Sequence, residues 1–176
     1  MDVLKAYTIP FAGLKAGMHH FDFELDPTFF EQFTASEIQE ATVQVTTTLD
    51  RRENMLVFQH ALRGSFATVC DRCGEALTLP LEGDFELVVK FGPERGHSDE
   101  EILILGPSDY EVELAQFFYE YAHLALPSRS VHPEGGCDSN MLDLLDEHAL
   151  WEPEQSDEAP ADPRWDALKK LKEKDK

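Results

Sequence analysis

Three cysteines and one histidine form the most chemically informative pattern in this chain. The cysteines are the only three in 176 residues, and all of them fall within two short segments. The first segment holds Cys70 and Cys73 in a C-x2-C spacing, and the second holds His132 and Cys137 in an H-x4-C spacing. Three thiolates and one imidazole are a donor set typical of structural zinc, which four nitrogen or sulfur ligands surround. We therefore predict a structural zinc ion bound by Cys70, Cys73, His132 and Cys137.

Other roles for this pattern need different surroundings. A redox-active C-x2-C requires a helix N-terminus that lowers the pKa of one thiol, whereas an alternating apolar pattern typical of a strand resumes soon after Cys73. Catalytic zinc requires an open coordination position. The chain has no H-E-x-x-H motif, no G-x-S-x-G motif and no phosphate-binding glycine loop. We expect a protein that is not an enzyme, and we keep a metal-dependent hydrolase as an alternative.

The net charge is strongly negative and unevenly distributed along the chain. The formal charge is −20, from 35 acidic and 15 basic residues. The last thirteen residues carry +3, so residues 1–163 carry −23. Such a body repels phosphate, and counterion release over its surface cannot drive affinity for nucleic acid. It favours basic partners, which include ribosomal proteins. A zinc-ribbon-like nucleic-acid-binding regulator is the alternative that this charge disfavours.

The elements around the two segments read mainly as strands. Apolar and polar residues alternate over 41–49 and again over 56–62, which predicts a hairpin whose second arm leads into Cys70. Alternation resumes after Gly74, so the C-x2-C is expected at the tip of a second hairpin. Spacing of i, i+3, i+4 and i+7 predicts a long helix from about Val112 to Leu126. The His132–Cys137 segment follows that helix as a loop.

We therefore predict an α+β fold with a mainly antiparallel, meandering sheet, either open or curled towards a barrel. One long helix packs on the sheet, and the two metal-binding segments, Cys70–Cys73 and His132–Cys137, meet in what we call the clasp. Residues 1–150 form this domain, the acidic, proline-rich residues 151–163 form a flexible linker, and residues 164–176 form a basic helix. The sequence shows neither a signal peptide nor an apolar run of bilayer length, so we expect a cytoplasmic location and no membrane partner.

Three signatures, taken in order, lead to a family. The first is Cys70-x-Arg72-Cys73 before an alternating strand, and the second is Glu120-x-x-x-Leu124-Ala125-Leu126-Pro127 before His132 and Cys137. The third closes the chain as Asp162-Pro163-Arg164-Trp165-x-x-Leu168. Over roughly residues 40–171 this combination resembles the YceD family, the large ribosomal RNA subunit accumulation proteins.

The resemblance implies a non-enzymatic ribosome-biogenesis factor that supports the accumulation of large-subunit ribosomal RNA. Its expected partners are ribosomal proteins or assembly factors of the large subunit. The charge distribution adds a hypothesis, in which the acidic body engages a basic protein while the C-terminal tail contacts ribosomal RNA or a partner. The residues expected to make that tail contact are Arg164, Lys169, Lys170, Lys172 and Lys174.

Overall fold

The computed structural model describes residues 3–34, 36–97 and 102–148. The predicted linker, 151–163, and the predicted basic helix, 164–176, lie outside the described residues, as do the tail residues expected to contact RNA or a partner, namely Arg164, Lys169, Lys170, Lys172 and Lys174. The chain divides into two compact units, Met1–Ser139 and Asn140–Lys176. The clasp segments both belong to the first unit.

The first unit is built mainly from strands. A short 3-10 helix, Val3–Tyr7, precedes the first of them. The strands are β1 Thr8–Pro10, β2 Gly17–Leu25, β3 Ala41–Arg51, β4 Met55–Val69, β5 Ala76–Phe91, β6 Gly96–His97, β7 Leu103–Leu105 and β8 Glu111–Glu113. The helices are α1 Pro27–Phe30, α2 Ala115–Leu124 and α3 Ser139–Glu147, of which α3 lies almost wholly in the second unit.

The predicted antiparallel meander is present, but the sheet does not close. Strands β2, β3, β4 and β5 pair antiparallel in sequence order, and β7 then joins β5 in parallel, with β6 outermost. Strands β2 and β6 therefore lie at opposite edges of a six-stranded sheet, while β1 and β8 form a separate pair. Curling towards a barrel was thus wrong. The antiparallel meander ends where β7 pairs with β5 in parallel. The two edge strands, β2 and β6, do not pair with each other.

The expected single long helix was also wrong. Helix α2 has 10 residues, Ala115–Leu124. The residues before it form β8, in which Val112 lies opposite Ile9 of β1. Val112 is fully buried in that strand pair, and it lies before the series with i, i+3, i+4 and i+7 spacing, which begins at Leu114. Pairing with a distant strand decided the conformation, which local periodicity cannot report.

Aromatic side chains join α2 to the inner face of the sheet. Phe118 is fully buried and its ring lies 5.2 Å from that of Phe23 on β2 and 5.2 Å from that of His60 on β4. Tyr121 stacks on Phe85 of β5 at 4.5 Å. Such contacts are large contributors to core stability, because each ring removes much apolar surface from water.

None of the helices in the described part of the chain is long and apolar enough to cross a membrane.

The longest strand pair carries the first clasp segment. Strands β4 and β5 stay in register from Met55, opposite Lys90, to Val69, opposite Ala76. Gly64 permits close packing with the preceding strand, since a Cβ there would come within 2.6 Å of the Cα of Val43. The pairing brings the chain to a turn immediately after Val69. Residues 70–75 therefore form the tip of this hairpin, as the sequence predicts.

Candidate metal centre

The Cys70–Cys73 segment is a tight turn at the tip of the β4–β5 hairpin. The N–H of Cys70 donates to the carbonyl of Glu75 at 2.8 Å, and the N–H of Gly74 donates to the carbonyl of Cys70 at 2.8 Å. Gly74 adopts a φ of 76°, in the left-handed region that favours glycine. These bonds turn both thiols to the same side. The turn leads into β5 rather than into a helix, which removes the setting that a redox C-x2-C requires.

A pair of hydrogen bonds joins the second segment to this turn. The N–H of Asp71 donates to the carbonyl of Ser130 at 2.7 Å, and the N–H of Ser130 donates to the carboxylate of Asp71 at 2.6 Å. The chain then turns back between Pro133 and Gly136, with Gly135 at a φ of 79°. Sequence analysis missed this role of Asp71. Its only signal was a carboxylate between the two cysteines, which carries no information about a residue 59 positions away.

The structure brings the side chains of Cys70, Cys73, His132 and Cys137 together. Their ligand atoms all lie within 4.8 Å of one another. The Sγ atoms of Cys70 and Cys137 are 3.9 Å apart, and Nδ1 of His132 lies 3.5 Å from Sγ of Cys73 and 4.0 Å from Sγ of Cys137. A tetrahedral zinc ion, with bonds of about 2.3 Å to sulfur and about 2.0 Å to nitrogen, requires about 3.8 Å between two sulfurs and about 3.5 Å between nitrogen and sulfur. These three separations lie within about 0.5 Å of those values.

The imidazole of His132 is oriented by a partner outside the cluster. Its Nε2 lies 3.2 Å from the carbonyl oxygen of Ala76, the first residue of β5. A carbonyl oxygen only accepts hydrogen bonds, so Nε2 carries a proton, and in the neutral ring Nδ1 then presents a lone pair towards the sulfurs. Metal-bound histidines are commonly fixed in this manner by a second hydrogen bond. Sequence analysis could not find this contact, because any residue supplies a carbonyl.

Backbone N–H groups favour the thiolate at both cysteines of the turn. Burial raises the pKa of Cys70, but the N–H groups of Cys73, His132 and Arg72 outweigh it and lower the pKa from 9.0 to about 5. The pKa of Cys73 is also lowered, first by the N–H of Glu75 and then by that of Asp138. Hydrogen bonding to Cys70 raises the pKa of His132, while burial raises that of Cys137. Negative charge thus concentrates where a cation would lie.

The burial of the ligands shows a site that is sheltered on one side. Cys70 and Cys73 are 2% and 4% exposed, whereas His132 and Cys137 are half-buried. Four protein ligands at these distances fill a tetrahedral coordination sphere. The cluster could therefore hold a metal ion and link two segments that are otherwise joined by few contacts.

Comparison with known proteins identifies the family of this chain. The family model described as "Large ribosomal RNA subunit accumulation protein YceD" matches residues 58–172, which is more than half of the chain. The matched region includes most of β4, all of β5–β8, and both clasp segments. No curated protein and no solved structure matched the chain. The resemblance seen in the three signatures is confirmed, and the chain belongs to the YceD family of large ribosomal RNA subunit accumulation proteins.

Proposed function

We propose that this protein is a non-enzymatic ribosome-biogenesis factor that supports the accumulation of large-subunit ribosomal RNA. It acts through protein partners, ribosomal proteins or assembly factors, on the assembling large subunit. The observation that carries the proposal is the family match over residues 58–172. The acidic body supports a basic protein partner, since residues 1–163 carry −23. We expect this role in the cytoplasm, with no membrane partner.

The proposal includes structural zinc in the clasp. The donor set of three sulfurs and one nitrogen suits zinc better than magnesium or calcium, which prefer oxygen ligands. When bound, zinc would join the β4–β5 tip to the His132–Cys137 loop and so stabilise the fold. Four protein ligands leave no coordination position for a reacting water, which argues against the metal-dependent hydrolase.

Direct contact with RNA is proposed for the C-terminal tail only. The cations expected to make this contact are Arg164, Lys169, Lys170, Lys172 and Lys174, whereas the rest of the chain is acidic. The zinc-ribbon-like nucleic-acid-binding regulator would require the isolated body to bind RNA or DNA, against its charge. Binding of a labelled RNA to a variant that lacks residues 164–176 separates these alternatives. Retained, salt-dependent binding would favour the regulator.

Depletion of the protein in growing cells tests the main proposal. We expect the ratio of large-subunit to small-subunit ribosomal RNA to fall, and a wild-type copy to restore it. A tagged copy should also co-purify large-subunit precursors with ribosomal proteins, as RNA sequencing and mass spectrometry of one eluate would detect. An unchanged ratio together with no large-subunit component in the eluate would refute the proposal.

A further inference from the structure

The four-stranded part of the sheet has one face in the core and one face exposed. Along β3 the side chains of Val43, Val45, Thr47 and Leu49 are buried, whereas those between them point outward. The same alternation holds along β4. Strand pairing places the outward residues in rows across the four strands. Apart from Arg63, the central floor of this outer face consists of small or uncharged polar residues, namely Thr42, Gln44, Thr46, Thr48, Gln59, Ala61 and Ser65.

Carboxylates line both sides of that floor. Strand β2 contributes Asp22 and Glu24, and β5 contributes Glu82, Asp84 and Glu86, all of them exposed. The register places these two acidic edges opposite each other across β3 and β4. Three strand spacings separate them by about 14 Å. This width accommodates an extended peptide or a single helix, whose diameter with side chains is about 10–12 Å.

The face also has a depression and an apolar end. A depression of ≈ 410 Å³ is lined by Thr46, Thr48, Gln59 and Ala61 on the floor and by Asp84 and Glu86 at one edge. Two residues further along the strands, one row holds Met18, which is 58% exposed, together with half-buried Val57 and Val88. Asp50 lies between Met18 and Val57 in this row and is paired with Arg52 at 2.7 Å. Such an end can receive an apolar side chain of a partner. Lys90 and Arg52 lie beyond it, outside the acidic edges.

Few of the edge carboxylates are neutralised within the protein. Arg63 is the only lysine or arginine between the two edges, and it pairs with Asp84 at 2.8 Å. Asp22 accepts a hydrogen bond from Thr46 at 3.1 Å. Within the described residues, no salt bridge engages Glu24, Glu82 or Glu86. The face therefore retains negative charge on both sides of a floor whose one charged residue is Arg63, opposite Glu82.

We propose that this outer face of β2–β5 is the docking surface for a lysine- and arginine-rich segment of a partner protein. The cations would meet Glu24 on one edge and Glu82 and Glu86 on the other, while the floor accepts the backbone of the segment. RNA is a poor occupant because its phosphates carry the same sign as both edges. The proposal rests on the proposed function for the class of partner, a basic protein of the large subunit.

Peptide binding to the full chain tests the surface directly. The probe is a fluorescent peptide of about eight residues that alternates arginine with serine and ends in leucine, long enough to span the face when extended. Replacing Glu24→Gln, Glu82→Gln and Glu86→Gln together should weaken its binding about tenfold at low salt, measured by fluorescence anisotropy. A labelled single-stranded RNA of similar length should bind both proteins equally, because any contact with RNA is proposed for residues 164–176 and not for this face.

A matched variant removes the same charge elsewhere. Glu37, Glu94 and Glu111 lie outside β2–β5, and their joint replacement by glutamine should change the affinity by less than about twofold. Equal weakening by both triple variants would show attraction by net charge alone and would overturn the proposal. A change in RNA binding between the wild type and the first triple variant, whether an increase or a loss, would also overturn the proposal. Thermal unfolding of both variants checks that they fold.

A variant of opposite sign gives an independent test. Arg63→Gln frees Asp84 and should strengthen peptide binding about threefold; unchanged or weaker binding would count against the surface. In depleted cells, the first triple variant should fail to restore large-subunit RNA, whereas the matched variant should restore it. If wild-type protein restores the RNA and both triple variants do so equally, the docking surface is refuted while the proposed function stands.

Discussion

The sheet is covered by aromatic side chains beside α2, whereas beyond its other end the clasp loops contain neither strand nor helix. Phe118 of α2 and Phe58 of β4 are fully buried, and the ring of Phe118 contacts that of His60, a residue far from it in sequence. In the clasp, only the two cysteines of the turn are buried. The aromatic region is stabilised by removing apolar surface from water. The clasp has little such surface, so a few hydrogen bonds and a bound metal ion must stabilise it instead.

Loss of a clasp ligand should have the largest effect. Cys73→Ala removes a thiolate at the centre of the cluster, and we expect bound zinc to disappear and stability to fall by on the order of 5 kcal/mol, because metal binding is coupled to folding. Elemental analysis and urea unfolding measure the two changes. His20→Ala is the matched control, an exposed histidine on β2 that should leave both unchanged. Full zinc content in Cys73→Ala would contradict the proposed ligand set.

Truncation in the aromatic region should lower stability without affecting the metal. Phe118→Ala leaves a cavity among Tyr7, Phe23 and His60, and we expect a loss of about 4 kcal/mol. The folded fraction should keep its zinc. Gln116→Ala, at an exposed position on the same helix, serves as the control. If Phe118→Ala released zinc from folded protein, the two regions would not be independent.

A third test concerns buried His60, whose ring packs against Phe58 and Phe118. Burial lowers its pKa from 6.5 to about 4. Above pH 6.5 the ring is neutral in both states and stability is fully retained. As the pH falls from 6.5 to 4, only the unfolded chain takes up the proton, so about 3 kcal/mol is lost. Urea unfolding between pH 7 and pH 4 measures this slope.

A variant isolates the contribution of this histidine. His60→Gln has no titrating ring, so its stability should decrease less steeply with falling pH than that of the wild type. The comparison cancels the effects of the carboxylates and of proton competition at the clasp, which both proteins share. Identical slopes would show that His60 does not remain neutral in the folded protein.

The smallest effect is expected at the bridge between the clasp segments. Asp71→Ala removes the acceptor for the Ser130 N–H, and we expect a loss of about 1 kcal/mol together with faster zinc release. Asp71→Asn keeps an oxygen acceptor and should lie between this variant and the wild type. Zinc transfer to a chromophoric chelator measures the rate. Equal rates in all three proteins would show that the ligands alone hold the segments together.

Local patterns explain which features could be predicted. Apolar and polar residues alternate over 41–49 and 56–62 because a strand of an open sheet buries only one face. The hairpins could therefore be predicted from this alternation. The helix was expected to begin at about Val112, but that residue pairs with Ile9 of β1, and the apolar spacing of a helix face begins only at Leu114. The spacing of apolar residues within a short segment cannot distinguish a buried strand from the buried face of a helix. Pairings such as β5 with β7 depend on residues that no local pattern links.

By itself, the amino-acid sequence determined the family, the acidic character and the candidate ligands, because residue types and spacings carry that chemistry directly. Only the tertiary structure decided that Cys70 and Cys137 lie 3.9 Å apart, that Ala76 orients His132, and that the sheet stays open. It also decided that acidic residues of β2 and β5 flank one largely uncharged floor, in which Arg63 is the single cation. Each of these depends on strand register, which aligns residues far apart in the chain and is a property of the whole fold.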